Sequence, residues 1–331
     1  MPTENLPALK KLFAQALEAR SIPLNAGRST ALRLFSGFYE GYPGLVADLY
    51  GRTLVLFDYE GSGDALAAAG EFFLERLPSI NCVIHKTRSA HDPAQRKGIL
   101  AFGDSPTKKI REHGVWYALD LQMQQDASFY LDTHGLRKWL LENAGGWRVL
   151  NTFAYTGSLG VAALAGGADY VLQTDLKRKF LELARTGGML NRLDLGKMKL
   201  QANDFFSQIA QLKRRGQLFD CVILDPPFFS STAKGRVDQA AESTRLINKV
   251  RPLVGDGGYL IAINNALFLS GADYMSSLET LCEDGYLTIE EIIPVPQDIT
   301  GFPQTIVSPP PSDPTPFNHP TKITILRVKH R

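Results

Sequence analysis

One short segment of the sequence, Asp225-Pro226-Pro227-Phe228, has residue types that could bind and position a reacting group. It directly follows the apolar run 222–224. The two prolines fix φ and lack N–H donors, which makes a stiff turn whose carbonyl groups are free acceptors. The Asp225 carboxylate and such a carbonyl can jointly accept hydrogen bonds from a flat amine or a ring N–H. Phe228 offers a face on which a base can stack, worth about 1 to 3 kcal/mol. This DPPF segment therefore predicts a holder for a planar amine or nucleobase, rather than the plain end of a buried strand.

Three further predicted strands end in glycine or polar residues. Gly157 allows a sharp turn after the first strand, and Ser158 can cap the following helix, whose N–H groups favour a carboxylate or phosphate. Asp175 ends the second strand, where it can accept both hydroxyls of a ribose or cap the next helix. Asn203 and Asp204 end the third strand and could bind an adenine amino group, while Asp204 could also cap a helix. Polar ends on consecutive strands favour an adenosine ligand, although the spacing is not that of a GxGxxG dinucleotide motif.

Short strands alternate with helical segments from about residue 147 onward. The predicted strands are WRVLNTFAY, YVLQTD, MKLQAND, FDCVILDPP, GGYLIAINN, LTIEEIIPV and KITILRV. This alternation predicts successive βαβ units, and hence an α/β fold with a doubly wound, mostly parallel sheet. Ligands of such sheets bind beyond the carboxyl ends of the strands, which is where the polar residues above lie.

The first part of the chain has a different pattern. Residues 5–20 place apolar side chains at helical spacing and predict an amphipathic helix, and a hairpin is expected to turn at 50–52. We expect residues 1–120 to form a small α+β domain and residues 121–331 to form the larger α/β domain. The proline-rich stretch 301–320 is expected to be a long loop between the last two strands.

Composition narrows the class of protein. A net charge of +2 with 44% hydrophobic residues is typical of an ordinary globular chain, and any basic face must be local. The three cysteines fit neither a disulfide framework nor a zinc site, so no metal is expected. No apolar run reaches the roughly 18 residues of a membrane span, and the first residues lack the apolar stretch of a secretory signal. We therefore expect a cytoplasmic protein that does not bind membranes.

The ordered motifs LNTFAYTG, QTD, QAND and LDPPFF together resemble motifs I to IV of the class I S-adenosylmethionine-dependent methyltransferases. The segments RLFSGFYEGYPGLVADLYGRTLVLFDY and SFYLDTHGLRKWL are similar to the RlmI and RlmK group of bacterial 23S ribosomal RNA methyltransferases. The resemblance covers about residues 30–330. It implies a seven-stranded Rossmann-like sheet, S-adenosyl-L-methionine as the cofactor, and an RNA substrate.

The resemblance also assigns residues. It implies that the DPPF segment is catalytic and that the segment around Asp132 and Arg137 helps to hold the methionine end of the cofactor. The cofactor-binding residues it implies are Phe129, Tyr130, Asp132, Arg137, Asn151, Phe153, Ala154, Tyr155, Thr156, Gly157, Asp175, Leu176, Asn203, Asp204 and Asp225.

Two departures from the group bear on the target. Only about 25 residues precede the ALRLFSG segment, so the PUA RNA-binding domain of many relatives is not expected. Cytosine-C5 enzymes add a cysteine to the pyrimidine, but the segment after the fifth strand has Asn264 and Asn265 and no cysteine. C5-methylcytosine is therefore disfavoured. A base nitrogen is expected as the target, namely guanine N7 or N2 or adenine N6, because nitrogen lone pairs can attack a methyl sulfonium directly.

Other functions stay open. The DPPF segment would suit a planar amine of a protein or small molecule, and a non-catalytic RNA-binding protein could retain the fold. A basic stretch just before the larger domain is expected to contact RNA phosphates, with a solvated loop as the alternative. Its residues are Lys86, Arg88, Arg96, Lys97, Lys108, Lys109 and Arg111. The expected partner is RNA, above all ribosomal RNA, and a homodimer is one possible assembly.

Overall fold

A computed structural model describes residues 6–20 and 30–330 of the chain. The chain divides into two compact units. The first comprises residues up to 132 together with 296–309, and the second comprises 133–295 and 310 onward. Within the described ranges, no helix is long and apolar enough to cross a membrane.

The division at residue 132 differs from the sequence-based boundary at residue 120. The intervening segment contributes to the interior of the first unit, since Leu121, Met123 and Phe129 are buried there. The backbone carbonyl of Phe129 also accepts a hydrogen bond from the Tyr50 hydroxyl at 3.2 Å.

The first unit contains a short helix α10 (Gln297–Thr300) in its second stretch of chain, and the described residues of its first stretch form a five-stranded sheet, a separate hairpin and three helices. These are α1 (Leu6–Ala19), β1 (Ala31–Ser36), β2 (Leu45–Tyr50), β3 (Thr53–Asp58), α2 (Gly63–Arg76), β4 (Cys82–Thr87), α3 (Pro93–Lys97), β5 (Ile99–Phe102), β6 (Lys109–Glu112) and β7 (Val115–Ala118). The sheet has the order β1-β2-β3-β4-β5, with β3 and β4 parallel and the other pairs antiparallel, while β6 and β7 form the hairpin. The expected turn between β2 and β3 is confirmed.

The predicted N-terminal helix is confirmed as α1. Its buried face carries Leu9, Phe13 and Ala16, and the Phe13 ring meets the Phe35 ring edge-on at 4.9 Å between centroids. Such a contact adds to the free energy gained by burying two aromatic side chains. The apolar spacing seen in the sequence therefore marks the face of α1 that packs into the core of the first unit.

The second unit contains a seven-stranded sheet with helices between its strands. Its elements are α4 (His134–Asn143), β8 (Arg148–Thr152), α5 (Ser158–Ala165), β9 (Tyr170–Asp175), α6 (Arg178–Leu190), β10 (Met198–Ala202), α7 (Phe205–Arg214), β11 (Phe219–Leu224), β12 (Phe229–Thr232), β13 (Gly235–Asp238), α8 (Gln239–Val250), β14 (Val254–Asn264), α9 (Gly271–Cys282), β15 (Leu287–Ile293) and β16 (Lys322–Val328). The sheet order is β10-β9-β8-β11-β14-β16-β15.

The register of this sheet confirms the predicted doubly wound, mostly parallel arrangement. Strands β10, β9, β8, β11 and β14 run parallel, and β16 runs antiparallel between β14 and β15. Buried aliphatic side chains such as Leu150, Val222 and Leu260 form the core at the middle of the sheet. The carboxyl ends of the five parallel strands consequently lie along one edge, which we call the carboxyl edge.

Two local predictions need correction. Helix α5 begins at Ser158, but its N-cap is Gly157 in the left-handed conformation, without a side-chain cap hydrogen bond. Directly after the DPPF segment the chain forms the hairpin β12–β13, where no strands were expected. No helix or strand is present between residues 301 and 321, which confirms the expected loop.

Candidate active site

The turn from β8 to α5 has unusual backbone conformations. The φ angle is 52° at Phe153, 49° at Tyr155 and 74° at Gly157. For residues with a Cβ, this conformation costs about 1 to 3 kcal/mol and persists only where the surroundings impose it, most often at functional sites. Here the backbone N–H of Tyr155 donates to Oδ2 of Asp175 at 2.9 Å. The strained turn is thus fastened to the end of the neighbouring strand β9.

Close packing behind this turn explains why it needs glycine. A Cβ on Gly157 would lie 2.4 Å from Cβ of Ala184 and 2.5 Å from Oε1 of Gln173. Gln173 is itself held by Nδ2 of Asn151, which donates to the same Oε1 at 3.1 Å. The other amide atom of Asn151, Oδ1, is buried and has no hydrogen-bond partner among the described residues. The turn therefore rests on a buried amide pair and leaves one acceptor unsatisfied.

Asp175 lies at the carboxyl end of β9, as the sequence analysis expected. Oδ1 of its carboxylate accepts a hydrogen bond from the backbone N–H of Lys177 at 2.9 Å, in addition to the bond from Tyr155. Burial raises the pKa of Asp175, and these two backbone N–H groups act against that rise. Helix α6 begins at Arg178 with Lys177 as its cap, so Asp175 is not the cap residue. Each carboxylate oxygen keeps a second lone pair with which it can accept a ribose hydroxyl.

Asn203 and Asp204 lie beyond β10, and their side chains are held by protein groups. Asp204 is the N-cap of α7, with Oδ1 accepting from the Ser207 N–H at 3.1 Å. Its Oδ2 accepts from the Thr232 hydroxyl at 2.7 Å, which ties the β12–β13 hairpin to this end of the sheet. Nδ2 of Asn203 donates to Oε1 of Gln208 at 2.9 Å. The helix-cap alternative for Asp204 is therefore confirmed, while contact with an adenine stays a prediction.

The DPPF segment leaves β11 at the centre of the carboxyl edge. Oδ1 of Asp225 accepts a hydrogen bond from Nδ2 of Asn265 at 3.3 Å, which orients the carboxylate from the adjacent strand end. The Phe228 side chain is 52% exposed, and Phe268, which follows β14, is 80% exposed. An acidic side chain and exposed aromatic rings thus stand on neighbouring strand ends, which is the combination that a planar nitrogen compound requires.

A buried glutamine that the sequence analysis missed organises this centre. Nε2 of Gln239 donates to the carbonyl groups of Pro226 and Ile263, and its Oε1 accepts from the Asn265 N–H at 2.5 Å. Its own backbone N–H donates to the Phe228 carbonyl at 3.0 Å. Gln239 therefore joins the DPPF segment to the end of β14. The Pro226 carbonyl, expected to be a free acceptor, is bound within the protein.

The three cysteines all lie within the described residues, and none lies in the segment 265–270 between β14 and α9. Cys221 is fully buried within β11, and burial raises the pKa of its thiol. Cys82 is buried in the first unit, and Cys282 ends α9, where burial also raises the pKa of the thiol. A thiolate is the reactive form of cysteine, so neither its position nor its protonation makes Cys221 a nucleophile.

The predicted residues 129–137 are divided between the two units. In the first unit the Phe129 side chain is 3% exposed and packs on the Tyr117 ring at 5.2 Å, and its contact with the cofactor stays a prediction. Tyr130 is half-exposed there, and Asp132 ends that unit. In the second unit, the buried Arg137 side chain lies in α4. The role of Asp132 and Arg137 at the methionine end stays a prediction.

Lys86 requires a correction among the predicted RNA-contacting residues. It is fully buried, and its ammonium group donates to the backbone carbonyls of Lys97 and, at 2.7 Å, Gln124. Burial lowers its pKa to about 8. Lys86 therefore stabilises the interior of the first unit and cannot reach a phosphate.

The other basic residues of this stretch differ in availability. Arg88 donates to the Asp126 carboxylate at 2.6 Å, and Arg96 donates to the Ala90 carbonyl at 3.0 Å. The exposed members are Lys97, Lys108, Lys109 and Arg111. These four are the most accessible basic residues of the stretch, and contact of the stretch with RNA stays a prediction.

This carboxyl edge belongs to an enzyme that transfers methyl groups. The profile of the S-adenosylmethionine-dependent methyltransferase family matches residues 85–303, and the chain belongs to this family. Its cofactor is accordingly S-adenosylmethionine.

Named relatives agree with this assignment. The chain is similar to ribosomal RNA large subunit methyltransferase I of Aeromonas salmonicida, with 30% identity over 273 residues, 78% of this chain and 67% of the relative. It is 32% identical over 240 residues to the protein of that name from Erwinia tasmaniensis, covering 70% of this chain and 60% of the relative. The chain thus spans about two thirds or less of their length. Its fold is similar to that of SMU.776, solved in complex with SAH, with a TM-score of 0.85, 22% identity and coverage of 99% and 83% of the two chains.

The residues of the second unit fit this cofactor. A half-buried carboxylate at Asp175 stands next to the Leu176 side chain, which is 59% exposed and offers an apolar surface for a purine. The predicted site residues that the structure brings to the ends of β8, β9, β10 and β11 are Asn151, Phe153, Ala154, Tyr155, Thr156, Gly157, Asp175, Leu176, Asn203, Asp204 and Asp225. Their individual contacts with the cofactor stay predictions.

Proposed function

We propose that this methyltransferase modifies a base nitrogen of RNA, with ribosomal RNA of the large subunit as the substrate. The observation that supports the proposal most strongly is the pairing of the Asp225 carboxylate with the Asn265 amide beside the exposed Phe228 ring. The names of the curated relatives support ribosomal RNA as the substrate.

The chemistry requires little more than positioning. S-adenosylmethionine supplies a methyl group on a positively charged sulfur, which a nitrogen lone pair can attack directly. Phe228 would stack on the base, and Asp225 would accept its N–H groups and fix its rotation in the plane. Holding two reactants in line in this way can account for about 7 to 11 kcal/mol of a barrier. For an amino nitrogen, Asp225 would also accept the proton that the nitrogen loses, whereas guanine N7 loses none.

The acceptor character of Asp225 favours guanine over adenine. An ionised carboxylate only accepts hydrogen bonds. Guanine presents two adjacent donors, its N1–H and its 2-amino group, which match the two oxygens of one carboxylate. Adenine presents one amino donor beside the acceptor N1, which a second carboxylate oxygen would repel. Guanine N7 and N2 are therefore proposed ahead of adenine N6.

The cysteine positions argue against a C5-methylcytosine product. Carbon 5 of cytosine becomes nucleophilic only after a thiolate adds to the ring. Strand β14 ends at Asn264 and is followed by Asn265, and the buried Cys221 lies inside β11. A nitrogen target needs no covalent intermediate, and therefore it needs no cysteine nucleophile at the carboxyl edge.

The exposed cations Lys97, Lys108, Lys109 and Arg111 of the first unit are proposed to contact RNA phosphates. Because phosphate contacts release counterions, each contact removed should lower the salt dependence of RNA binding by about one unit of slope. We also propose a homodimer, on which the methyl-transfer chemistry does not depend.

Nucleoside analysis tests the proposed function. Ribosomal RNA from cells lacking the gene is incubated with the protein and S-adenosylmethionine, digested, and examined by mass spectrometry. We expect a methylguanosine with the wild-type protein, and a loss of methyl transfer of at least about 100-fold with Asp225→Ala at saturating S-adenosylmethionine. A C5-methylcytidine product would refute the nitrogen target. Labelled protein with unlabelled RNA would favour an amine of a protein, and full modification by Asp225→Ala would refute catalysis by this site.

A further inference from the structure

The hairpin β12–β13 has one face turned to the protein and one exposed face. Its register pairs Thr232 with Gly235 on the inner face and Ser231 with Arg236 on the outer face. Directly opposite residues of an antiparallel pair share a face, and so do alternate residues of one strand. Phe229 therefore lies on the outer face with Ser231 and Arg236, and all three differ from the inner residues in being exposed.

The inner face holds the hairpin in place. The Thr232 hydroxyl donates to Asp204 at 2.7 Å, and the Val237 side chain is 2% exposed. A Cβ on Gly235 would lie 2.5 Å from Cε2 of Phe206, which shows how closely the two elements pack. Because an isolated two-stranded hairpin is at best marginally stable in water, these contacts explain why the hairpin forms here. They also fix the outer face before a ligand arrives, which lowers the entropic cost of binding one.

The outer face carries a pair of side chains that these packing contacts do not require. The Phe229 side chain is 55% exposed, and Cζ of Arg236 lies 5.3 Å from the centroid of its ring. The Arg236 guanidinium donates a hydrogen bond to the Asp238 carboxylate, which holds it in that position. A guanidinium has five N–H donors, so this bond leaves it able to bind an anion as well. Aromatic rings and guanidinium planes are the two surfaces on which proteins stack unpaired bases of RNA.

We infer that the outer face of the β12–β13 hairpin binds the nucleotide next to the target nucleotide, in an unpaired stretch of RNA; this inference rests on the proposed function. The base of that nucleotide stacks on the pair formed by Phe229 and Arg236, and its phosphates contact Arg236 and Lys234. Lys234 is exposed in the turn of the hairpin, and its ammonium makes no ion pair within the described residues. The substrate is thus RNA that is single-stranded at the target, because a paired base cannot offer its face to a protein ring.

The place of the hairpin in the chain favours this ligand. Phe229 directly follows Phe228, whose ring would stack on the target base, and consecutive Cα atoms lie about 3.8 Å apart. Two consecutive rings of the protein can therefore serve two consecutive bases of the RNA. A protein or a membrane surface would be favoured by aliphatic side chains, but Ala233 is the one aliphatic residue of the outer face and turn. A phosphate chain suits the two cations better.

Fluorescence anisotropy of RNA binding tests the inference without methyl transfer. The probes are a labelled single strand of about ten nucleotides that contains guanosine, and the same strand in a duplex. We expect Phe229→Ala to weaken binding of the single strand about tenfold, and Phe229→Tyr to stay within about threefold of the wild type because tyrosine keeps a stacking face. Lys234→Gln and Arg236→Gln should each lower the slope of log affinity against log salt by about 0.7, the value for one phosphate contact to a single strand.

Arg251→Gln is a matched control for the hairpin variants. Cζ of Arg251 lies 5.2 Å from the centroid of the Tyr286 ring, and the guanidinium pairs with Asp284 at 3.1 Å, which repeats the arrangement in the hairpin. Arg251 lies shortly before β14 begins, so it is at the opposite edge of the sheet from the carboxyl edge. This variant should keep the wild-type RNA affinity and salt slope. Every variant should keep the wild-type circular dichroism spectrum and the wild-type midpoint of urea unfolding.

Steady-state methyl transfer separates this inference from the proposed function. With ribosomal RNA from cells lacking the gene, Phe229→Ala should raise KM about tenfold and change kcat less than about threefold, because the neighbouring nucleotide is held equally in the ground state and the transition state. A wild-type protein that produces no methylguanosine rejects the proposed function, whereas weaker binding of the single strand by Phe229→Ala still supports the hairpin contact.

Four results would overturn the inference. The first is a wild-type protein that binds the single strand no more tightly than the duplex, and the second is an unchanged single-strand affinity in Phe229→Ala. The third is a salt slope that neither Lys234→Gln nor Arg236→Gln lowers. The fourth is an equal loss of RNA affinity in Arg251→Gln, which would show that any exposed arginine of the second unit has the same effect.

Discussion

Replacing Gln239 with leucine should separate the DPPF segment from the end of β14. The predicted cofactor-binding residues at the ends of β8, β9 and β10 should stay in place. Leucine has a similar volume and is apolar, so it fills the same buried space without making hydrogen bonds. The change removes the donor to the Pro226 carbonyl and the acceptor for the Asn265 N–H. By binding the Pro226 carbonyl and the Asn265 N–H, Gln239 also fixes the neighbouring residues in the chain, of which Asp225 is one.

The magnitude follows from the groups left without a partner. A buried polar group that loses its hydrogen bond costs about 1 to 3 kcal/mol. With two such groups, we expect the free energy of unfolding to fall by about 3 kcal/mol. A displacement of Asp225 or Phe228 by about 1 Å should lower kcat by about 100-fold. Affinity for S-adenosylhomocysteine should change little, because no side-chain bond of Gln239 involves β8, β9 or β10.

Three measurements on Gln239→Leu decide the matter: urea denaturation, calorimetry with S-adenosylhomocysteine, and methyl transfer to ribosomal RNA under saturating cofactor. Gln208→Leu is a matched control, because Gln208 is equally buried and bonds to Asn203 and Gln201 instead. The control should lose similar stability and weaken cofactor binding, with a smaller effect on kcat. Wild-type kcat in Gln239→Leu, or an equal loss of cofactor affinity in both variants, would refute the assigned role of Gln239.

Three further predictions follow from buried residues of the second unit. Gly157→Ala places a Cβ against Ala184 at a φ of 74°, so calorimetry should show binding of S-adenosylhomocysteine weakened at least about tenfold, and an unchanged affinity would contradict the packing argument. Thr324→Val should raise the free energy of unfolding by about 1 kcal/mol, because the buried Thr324 hydroxyl has no hydrogen-bond partner among the described residues; a loss of stability would show that it has one. Burial lowers the pKa of Lys322 from 10.5 to about 8, so between these values the unfolded chain binds more protons and stability rises with pH. Lys322→Met should remove this contribution, amounting to about 2 kcal/mol between pH 8 and pH 10 in urea titrations, and identical pH profiles of the two proteins would count against it.

The sequence predicted those features that depend on local patterns. Alternating apolar runs and helical segments located the seven strands of the large sheet in the second unit, and the DPPF segment and Asp175 marked two of the strand ends. Helix α2 begins at Gly63, and the sequence pattern does not mark this start, because the first turns of the helix are rich in alanine and have little apolar periodicity. Local patterns therefore gave the order of the elements better than their ends.

Other features depend on contacts between distant residues. Gln239 lies in an unremarkable stretch at the start of α8, and its importance arises from bonds to Pro226, Ile263 and Asn265, which no local pattern contains. The hairpin β12–β13 lacks the Asn-Gly or Asp-Gly turn by which a sequence predicts a hairpin. It is held instead by the hydrogen bond from the Thr232 hydroxyl to Asp204.

The burial of Lys86 had a signal that was missed. In strand β4 the residues Cys82, Ile84 and Lys86 alternate with their neighbours and therefore share one face of the sheet. Two apolar residues on that face indicate that the third is also covered. The sequence analysis counted Lys86 as part of a basic surface because it did not consider that alternate residues of a strand share one face.

The path of the chain between the two units limits how the units can be separated by proteolysis or exchanged between genes. After β15 the chain leaves the second unit, contributes residues 296–309 to the first, and then returns to supply β16 to the interior of the sheet. In the first unit Arg20 donates to the Asp298 carbonyl at 3.0 Å, and Thr305 donates to Glu40 at 2.6 Å. Three covalent crossings thus join the units, so a single proteolytic cut cannot release either one. Exchange of a unit between related genes would have to replace two separate stretches of coding sequence at once.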